Sequence, residues 1–373
     1  MNHRKSLAPP RKIVVALIVL LVFLQTGCGT LVGILKNAAG SRDGGKNVRA
    51  GMLDPRSPFD RARKEIGGLV QNGDFKLIDA LANEARADKL RLEGGYWKLD
   101  AIYEALGNLY ADGPGRQLAD ADWQTRIEAL KRWRTGSPGS ITARVALAEA
   151  YVNYGWFARG GGYVDSVSED DLGLFKERLA LADRELNQAT ELNLRCPRWF
   201  REKMIIQTAV GDSAVDFEQT YEEAIHFEPD YLQFYLVRSA YLTPKWHGAP
   251  GEWEAFVAAL PAKLGKVKSK EIDIVYFVVV TDKLREPSLS LDYAKFDKMR
   301  LRQGFVELDM KYGADNLRLN QFAHIACLTG EFNEARNAFK RIGGSRDDDV
   351  WNEQTFTAMQ RLAFENENGA ANN

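Results

Sequence analysis

Cysteine is nearly absent from this chain: Cys28, Cys196 and Cys327 are the only three among 373 residues. That is too few for a disulfide scaffold or a multi-cysteine zinc site. Histidine is as sparse. Of four in all, His226 and His324 fall in helical stretches and His247 in a loop, with no H-E-x-x-H spacing, so no metal site is expected. No cofactor is expected either, no G-x-S-x-G elbow offers a serine nucleophile, and no couple among the 51 acidic residues stands out as a glycosidase-like pair. Net charge is also lacking, because 50 Lys and Arg oppose 51 Asp and Glu. With no global field to draw a polyanion, nucleic acid is not an expected partner. Apolar material is plentiful: 45% of the residues are hydrophobic and 27% charged, enough to bury a sizeable core as one long domain or two.

The N-terminus reads as an export segment. Arg4, Lys5, Arg11 and Lys12 precede an unbroken apolar run from Ile13 to Leu24, followed by Gln25, Thr26, Gly27 and Cys28. A cysteine placed behind a small residue at the end of such a run resembles the lipobox of bacterial lipoproteins. The resemblance implies lipidation at Cys28, with residues 1–27 removed and Gly29 permitting transfer to an outer membrane. Leu24 stands four places before Cys28 rather than the usual three. The alternative is an uncleaved anchor, since no charge occurs between Lys12 and Lys36. Either way the chain is expected to be tethered to a membrane through its N-terminus, with its body extracytoplasmic in a bacterial cell envelope. Residues 28–57, rich in Gly, Asn, Arg and Lys, read as a flexible tether, and residues 365–373 as a disordered tail.

Strand signals are few. The β-branched run Ile272 to Val280 would suit a strand, but without a partner strand it is read as a buried helix. Elsewhere over residues 58–364, apolar residues recur at helical spacing between short Gly, Pro, Asn and Asp breaks. The run Leu319, Phe322, Ala323, Ala326, Gly330, Phe332, Ala335 and Phe339 has the form of two antiparallel helices. Alanines permit their close approach, Gly330 turns the chain, and phenylalanines fill the groove. Tyr221, Ala224, Ile225 and Pro229 match a closing helix, and Leu147, Ala148, Tyr151 and Gly155 an opening one. Asn72-Gly73-Asp74-Phe75 repeats the turn Thr329-Gly330-Glu331-Phe332. These runs resemble tetratricopeptide (TPR) repeats, so the expected fold is all-α: a TPR-like α-solenoid of antiparallel helix pairs, each burying its stripe on its neighbours.

Two glycine-rich stretches interrupt the pairs. Trp156-Phe157-Ala158-Arg159-Gly160-Gly161-Gly162-Tyr163 precedes Ser168-Glu169-Asp170-Asp171, which reads as a helix cap, and Pro244-Lys245-Trp246-His247-Gly248 lies between two later helices. With Phe175, Glu177 and Arg178 between them, Gly95, Trp97, Lys98, Leu99 and Tyr103 upstream, and Asn320, Ala326, Cys327 and Gly330 downstream, these residues resemble a bacterial TPR-like family defined only as a domain of unknown function. The resemblance implies the fold and little chemistry.

Inserted loops on repeat scaffolds collect binding residues. Trp156, Arg159, Tyr163, Lys245, Trp246 and His247 are therefore the candidate ligand-binding residues, offering aromatic faces and a guanidinium fork for a glycan or another small polar ligand, with hydrolysis of that ligand as the enzymatic form of this alternative. The competing reading puts Trp156 in the core and pairs Arg159 with an acid such as Glu177. Cys327 reads as a buried thiol, and a bridge between Cys196 and Cys327 is left open. Asp347-Asp348-Asp349 reads as the cap of the last helix. The leading expectation is a tethered adaptor that docks another envelope protein and is not an enzyme.

Overall fold

The computed structural model describes residues 57–110, 117–161, 167–211, 213–284 and 292–366. The signal or anchor segment, Cys28, the tether up to residue 56, Tyr163 and the tail beyond residue 366 lie outside the described residues. Within them the chain forms fifteen α-helices: α1 Pro58–Asn72, α2 Phe75–Ala87, α3 Lys98–Gly107, α4 Asp120–Gly136, α5 Ile141–Arg159, α6 Glu169–Ala189, α7 Pro197–Val210, α8 Ala214–Phe227, α9 Leu232–Tyr241, α10 Glu252–Lys266, α11 Ile272–Lys283, α12 Lys298–Tyr312, α13 Asn316–Thr329, α14 Phe332–Ile342 and α15 Glu353–Glu365. No strand occurs among the described residues, only an isolated antiparallel bridge between Arg91 and Trp97. The β-branched run after Ile272 is helix α11, and Val275, Phe277, Val279 and Val280 in it are buried. Burial, not local propensity, decides its state.

Side chains start many of these helices. Ser57, Ser140, Ser168, Ser213, Asp297, Asp315 and Asn352 each accept a hydrogen bond from the backbone N–H three residues on, satisfying a donor that the helix leaves over. The cap expected at Ser168 is present, with Asp171 N–H donating to its hydroxyl at 3.1 Å. The cap expected from Asp347–Asp349 is not there. Asn352 caps α15, whereas the Asp347 carbonyl accepts from Val350 and Trp351 in a turn that precedes it.

The two matched turns close their pairs with the same geometry. Gly73 and Gly330 adopt φ/ψ of 76°/19° and 79°/17°. In the first, Gly73 N–H donates to Val70 and Asp74 N–H to Leu69; in the second, Gly330 N–H donates to Cys327 and Glu331 N–H to Ala326. Both satisfy the last carbonyls of a helix by the 5→2 and 6→1 bonds that a left-handed residue makes possible. They recur 257 positions apart, near opposite ends of the described chain.

Helices pack in two registers. Sequence neighbours lie against each other, most extensively α5 on α6, α11 on α12 and α13 on α14. The odd-numbered helices also pack on one another in succession, α3 on α5, α5 on α7, α7 on α9, α9 on α11, α11 on α13 and α13 on α15. One layer of the body is therefore a continuous row of odd helices, and the apolar core follows it from Ile66 to Ala363.

A contact between distant parts of the chain crosses this order. Between α2 and α3, residues 89–97 form a finger closed by the Arg91–Trp97 bridge around a 3-10 turn, Glu93–Gly95. It reaches three successive junctions. Lys89 pairs with Glu228 and the Trp97 indole N–H donates to the Asp230 carbonyl, both between α8 and α9. Arg91 faces Glu271 at 3.6 Å, just before α11. Gly94 N–H donates to the Gly313 carbonyl at 2.8 Å, and Arg318 Nε donates back to the Gly94 carbonyl at 3.1 Å, at the start of α13. Linear repeat arrays have contacts between neighbours only; here the first third of the body is stitched to the last.

Replacing Gly330 by Ala forces a side chain into the left-handed region and should lower unfolding free energy by about 1–2 kcal/mol in urea denaturation. Gly67→Ala is the matched control. Gly67 lies within α1, where an added Cβ would meet nothing within 4 Å, and the alanine should stabilise by up to about 1 kcal/mol through helix propensity.

Candidate functional site

The structure brings the two glycine-rich stretches together. Helix α5 runs on past Gly155 to Arg159, so Trp156, Phe157, Ala158 and Arg159 form its last turn and not an inserted loop. Gly155 does not break the helix, because it is a packing position: a Cβ there would lie 3.3 Å from the Phe175 ring of α6. Trp156 is 5% exposed and sits against Phe175, ring centroids 4.7 Å apart. Its other neighbour is Trp246, edge to face at 5.9 Å. The Arg159 guanidinium lies 5.3 Å from the Trp156 ring and 5.9 Å from Phe175.

Residues 243–248 form a self-bonded turn after α9, with Trp246 and Gly248 N–H both donating to the Thr243 carbonyl. The His247 ring lies tilted over Tyr241, centroids 4.7 Å apart, and its Nε2 lies 2.7 Å from the Thr208 carbonyl of α7. Lys245 is exposed beside it. Trp253, farther along, is buried in α10. Trp156, Arg159, Trp246 and His247 thus share one seam, and the two tryptophans are packed mainly against protein.

The second concentration of chemistry was not singled out from the sequence. Three successive odd helices, α3, α5 and α7, carry charged side chains into the core: Asp100 and Glu104, Glu149, and Arg198, Arg201 and Glu202. Arg198, Arg201, Glu149 and Glu202 are all fully buried. Arg198 is the hub. Its Nε donates to Glu149 at 2.9 Å, its Nη1 to Asp100 at 3.2 Å and its Nη2 to both Glu104, at 2.9 Å, and Glu149. Glu202 lies 3.2 Å from Nε and also meets Arg201. The Tyr231 hydroxyl donates to Asp100. The Tyr110 hydroxyl donates to Glu104 at 3.1 Å and accepts from Arg63 at 2.8 Å.

Close approach of the backbones makes this possible. A Cβ on Gly107 would fall 2.5 Å from the Glu149 side chain, and Asn153 of α5 donates to the Gly107 carbonyl at 2.9 Å. The sequence signal for the cluster was a Glu within the apolar run Val145 to Val152, where one face of a helix leaves no reason for a charge.

Four carboxyl groups around two guanidiniums would, if all were ionised, hold an excess of two negative charges away from water, so the cluster favours keeping a proton. Burial pushes Glu149 up to about 8, Glu202 and Glu104 adding to the rise against the pull of Arg198. Burial also opposes ionisation of Glu104, yet Arg198, Arg201 and Arg63 outweigh it and hold this carboxyl down at about 2. Burial raises Asp100 as well. The two-pronged contact of Arg198 with Glu149 suits an ionised carboxylate, while the dry surroundings favour its acid.

The two remaining thiols are apart. Cys196 is buried beside the Tyr103 hydroxyl at 3.4 Å, and Cys327 is buried against the Met359 carbonyl, its thiol pushed up to about 12 by burial. Both are free, so the bridge left open in the sequence is absent. Among the described residues no group of three or more His, Cys, Asp or Glu is placed to hold a metal ion, and no helix is long and apolar enough to cross a membrane.

No family model matches the chain, and no solved structure matches it. A stretch of 111 residues is 29% identical to a glucose-1-phosphate adenylyltransferase of Streptomyces coelicolor, covering 29% of this chain and 27% of that protein. The chain thus spans about a quarter of the length of the curated relative it matches. A likeness that short assigns neither family nor activity.

The cluster makes stability depend on pH with opposite signs at its two ends. Between 4.5 and about 8 the folded protein keeps a proton on Glu149 that the unfolded chain releases, so this group's contribution falls as pH rises. Between about 2 and 4.5 the unfolded chain binds the proton that Glu104 refuses, so stability is lost as pH falls. His324, kept neutral by burial down to about 4, adds stability as pH rises towards 6.5 and offsets part of the Glu149 slope there. Above pH 6.5 that offset is gone, and Asp100, raised by burial in the same cluster, adds a slope of the same sign as that of Glu149. In Glu149→Gln the decline in urea midpoint between pH 6.5 and 8 should shrink, against a slope of up to about 1.4 kcal/mol per pH unit that Glu149 supplies in the wild type. An unchanged slope would place the labile proton elsewhere.

Proposed function

We propose that this chain is a membrane-tethered protein-interaction scaffold of the bacterial cell envelope, a TPR-like array of helix pairs that docks a segment of another envelope protein. The observation that carries this reading is the recurrence of one turn. Gly73 and Gly330 close their helix pairs with the same left-handed geometry and the same two hydrogen bonds. The succession of odd helix on odd helix supports it further, since that is how repeats share a core and present a continuous face.

The lipobox-like residues ending at Cys28 support the tether, and the resemblance to a TPR-like domain family supports the architecture. The finger of residues 89–97 narrows the idea. Junctions between helix pairs already hold an inserted piece of chain by carbonyl, carboxylate and indole contacts, and an external segment would use the same kinds of group. Crosslinking in intact envelopes should give one discrete protein adduct of the full-length chain, and mass measurement of its mature N-terminus should place a lipid on Cys28. A folded, tethered chain that yields no adduct would refute the scaffold.

A second reading keeps a glycan or small polar ligand at the seam, where Trp156 and Trp246 meet with Arg159 beside them. Trp246→Ala separates the readings. If Trp246 is chiefly a packing residue, the substitution lowers the melting temperature by several degrees, as loss of a half-buried aromatic does. If it forms a ligand platform, binding of cell-wall glycan fragments in calorimetry falls at least tenfold while the melting temperature moves little.

A further inference from the structure

Helix α12 carries an apolar stripe on its outer face. Met299 and Met310 are 82% and 84% exposed, and Val306 is exposed between them. At 100° per residue these three fall within about 40° of one another, along roughly 16 Å of helix. The other large exposed apolar residues among those described, such as Leu77, Leu174, Val215 and Phe364, stand singly on their elements. The opposite face of α12 is committed to the core through Leu301, Phe305 and Leu308.

Charge on both flanks of the stripe has one order. Arg302 and Asp309 share one flank, Arg300 and Glu307 the other, and on each the cation is nearer the helix N-terminus. This order opposes the helix dipole, which favours acids at the start and bases at the end. Antiparallel pairing with an identical helix resolves the conflict. Rotation about a two-fold axis near residues 304 and 305 leaves each flank on its own side and brings its N-terminal cation level with its partner's C-terminal carboxylate. Arg302 then meets Asp309 of the second copy, Arg300 meets Glu307, and Met299 packs on Met310. Parallel pairing would set like charges together. Several of these groups keep partners within the chain, Arg302 with Glu334, Arg300 with Asp273 and Asp309 with Arg341, so the charges serve register more than affinity.

We infer that the outer face of α12 is a homodimer interface, in which Met299, Val306 and Met310 of two copies pack antiparallel about a two-fold axis. Methionines suit such a surface because they adapt to an imperfect groove, and a two-fold interface needs a self-complementary patch. This inference stands independently of the scaffold reading, which requires no second copy.

Cysteine crosslinking of the full-length chain in intact envelopes tests it, using a short thiol-to-thiol reagent; Cys196 and Cys327 are buried. Val306→Cys, near the axis, should give a covalent dimer. Met299→Cys alone should give little, whereas coexpressed Met299→Cys and Met310→Cys chains should give a mixed dimer at least tenfold more abundant. Adding Met299→Asp or Met310→Asp to the Val306→Cys chain should abolish its dimer, and neither exposed substitution should change the melting temperature. Light scattering of the detergent-solubilised chain should report a dimer for wild type and a monomer for the Asp variants. A monomeric wild type overturns the proposal, as does a Met299→Cys dimer as abundant as the mixed one, or an adduct joining Val306→Cys to a different protein or to lipid.

Discussion

Everything in the first half of the body is arranged around one guanidinium. Arg198 is surrounded by carboxylates from α3, α5 and its own helix, and its burial is tolerable only because each of those helices delivers its acid to the right place. Hydrophobic packing holds three amphipathic helices together in many relative positions. A forked donor with fixed geometry holds them in one. The close passage at Gly107, the reach of Asn153 to its carbonyl and the hydroxyls of Tyr110 and Tyr231 all follow from that requirement.

The excess of carboxylates gives this anchor a chemical character. A matched set of charges would titrate far from neutrality at every member. Here Glu149 and Glu104 are driven in opposite directions by the same cluster, one by dryness and like charge, the other by the cations beside it. The rigidity of the three-helix junction and its response to acid and base therefore have one origin.

Much of the helical order could be read from the residues. The Gly330 turn, the Ser168 cap and the helical state of the run after Ile272 follow from local chemistry or from the lack of any strand to pair with. What local chemistry could not supply was range. Gly155 reads as a break only until Phe175 is known to lie over it, and the cap role given to Asp347–Asp349 fails because Asn352 stands one turn nearer. The depth of Trp156 agrees with the reading that put it in the core, whereas its meeting with Trp246 joins two stretches some 90 positions apart. The Arg198 cluster joins residues up to 131 positions apart, and the pairing of Gly94 with Gly313 spans still more; neither leaves a periodicity that a linear reading can find.

The finger has a mechanical consequence. Stacked helix pairs behave as a spring, since small rotations at each junction add up along the array. With residues 89–97 fastened at three successive junctions, those rotations can no longer vary independently. Over that span the helix pairs hold one relative arrangement, and little compliance is left at their junctions.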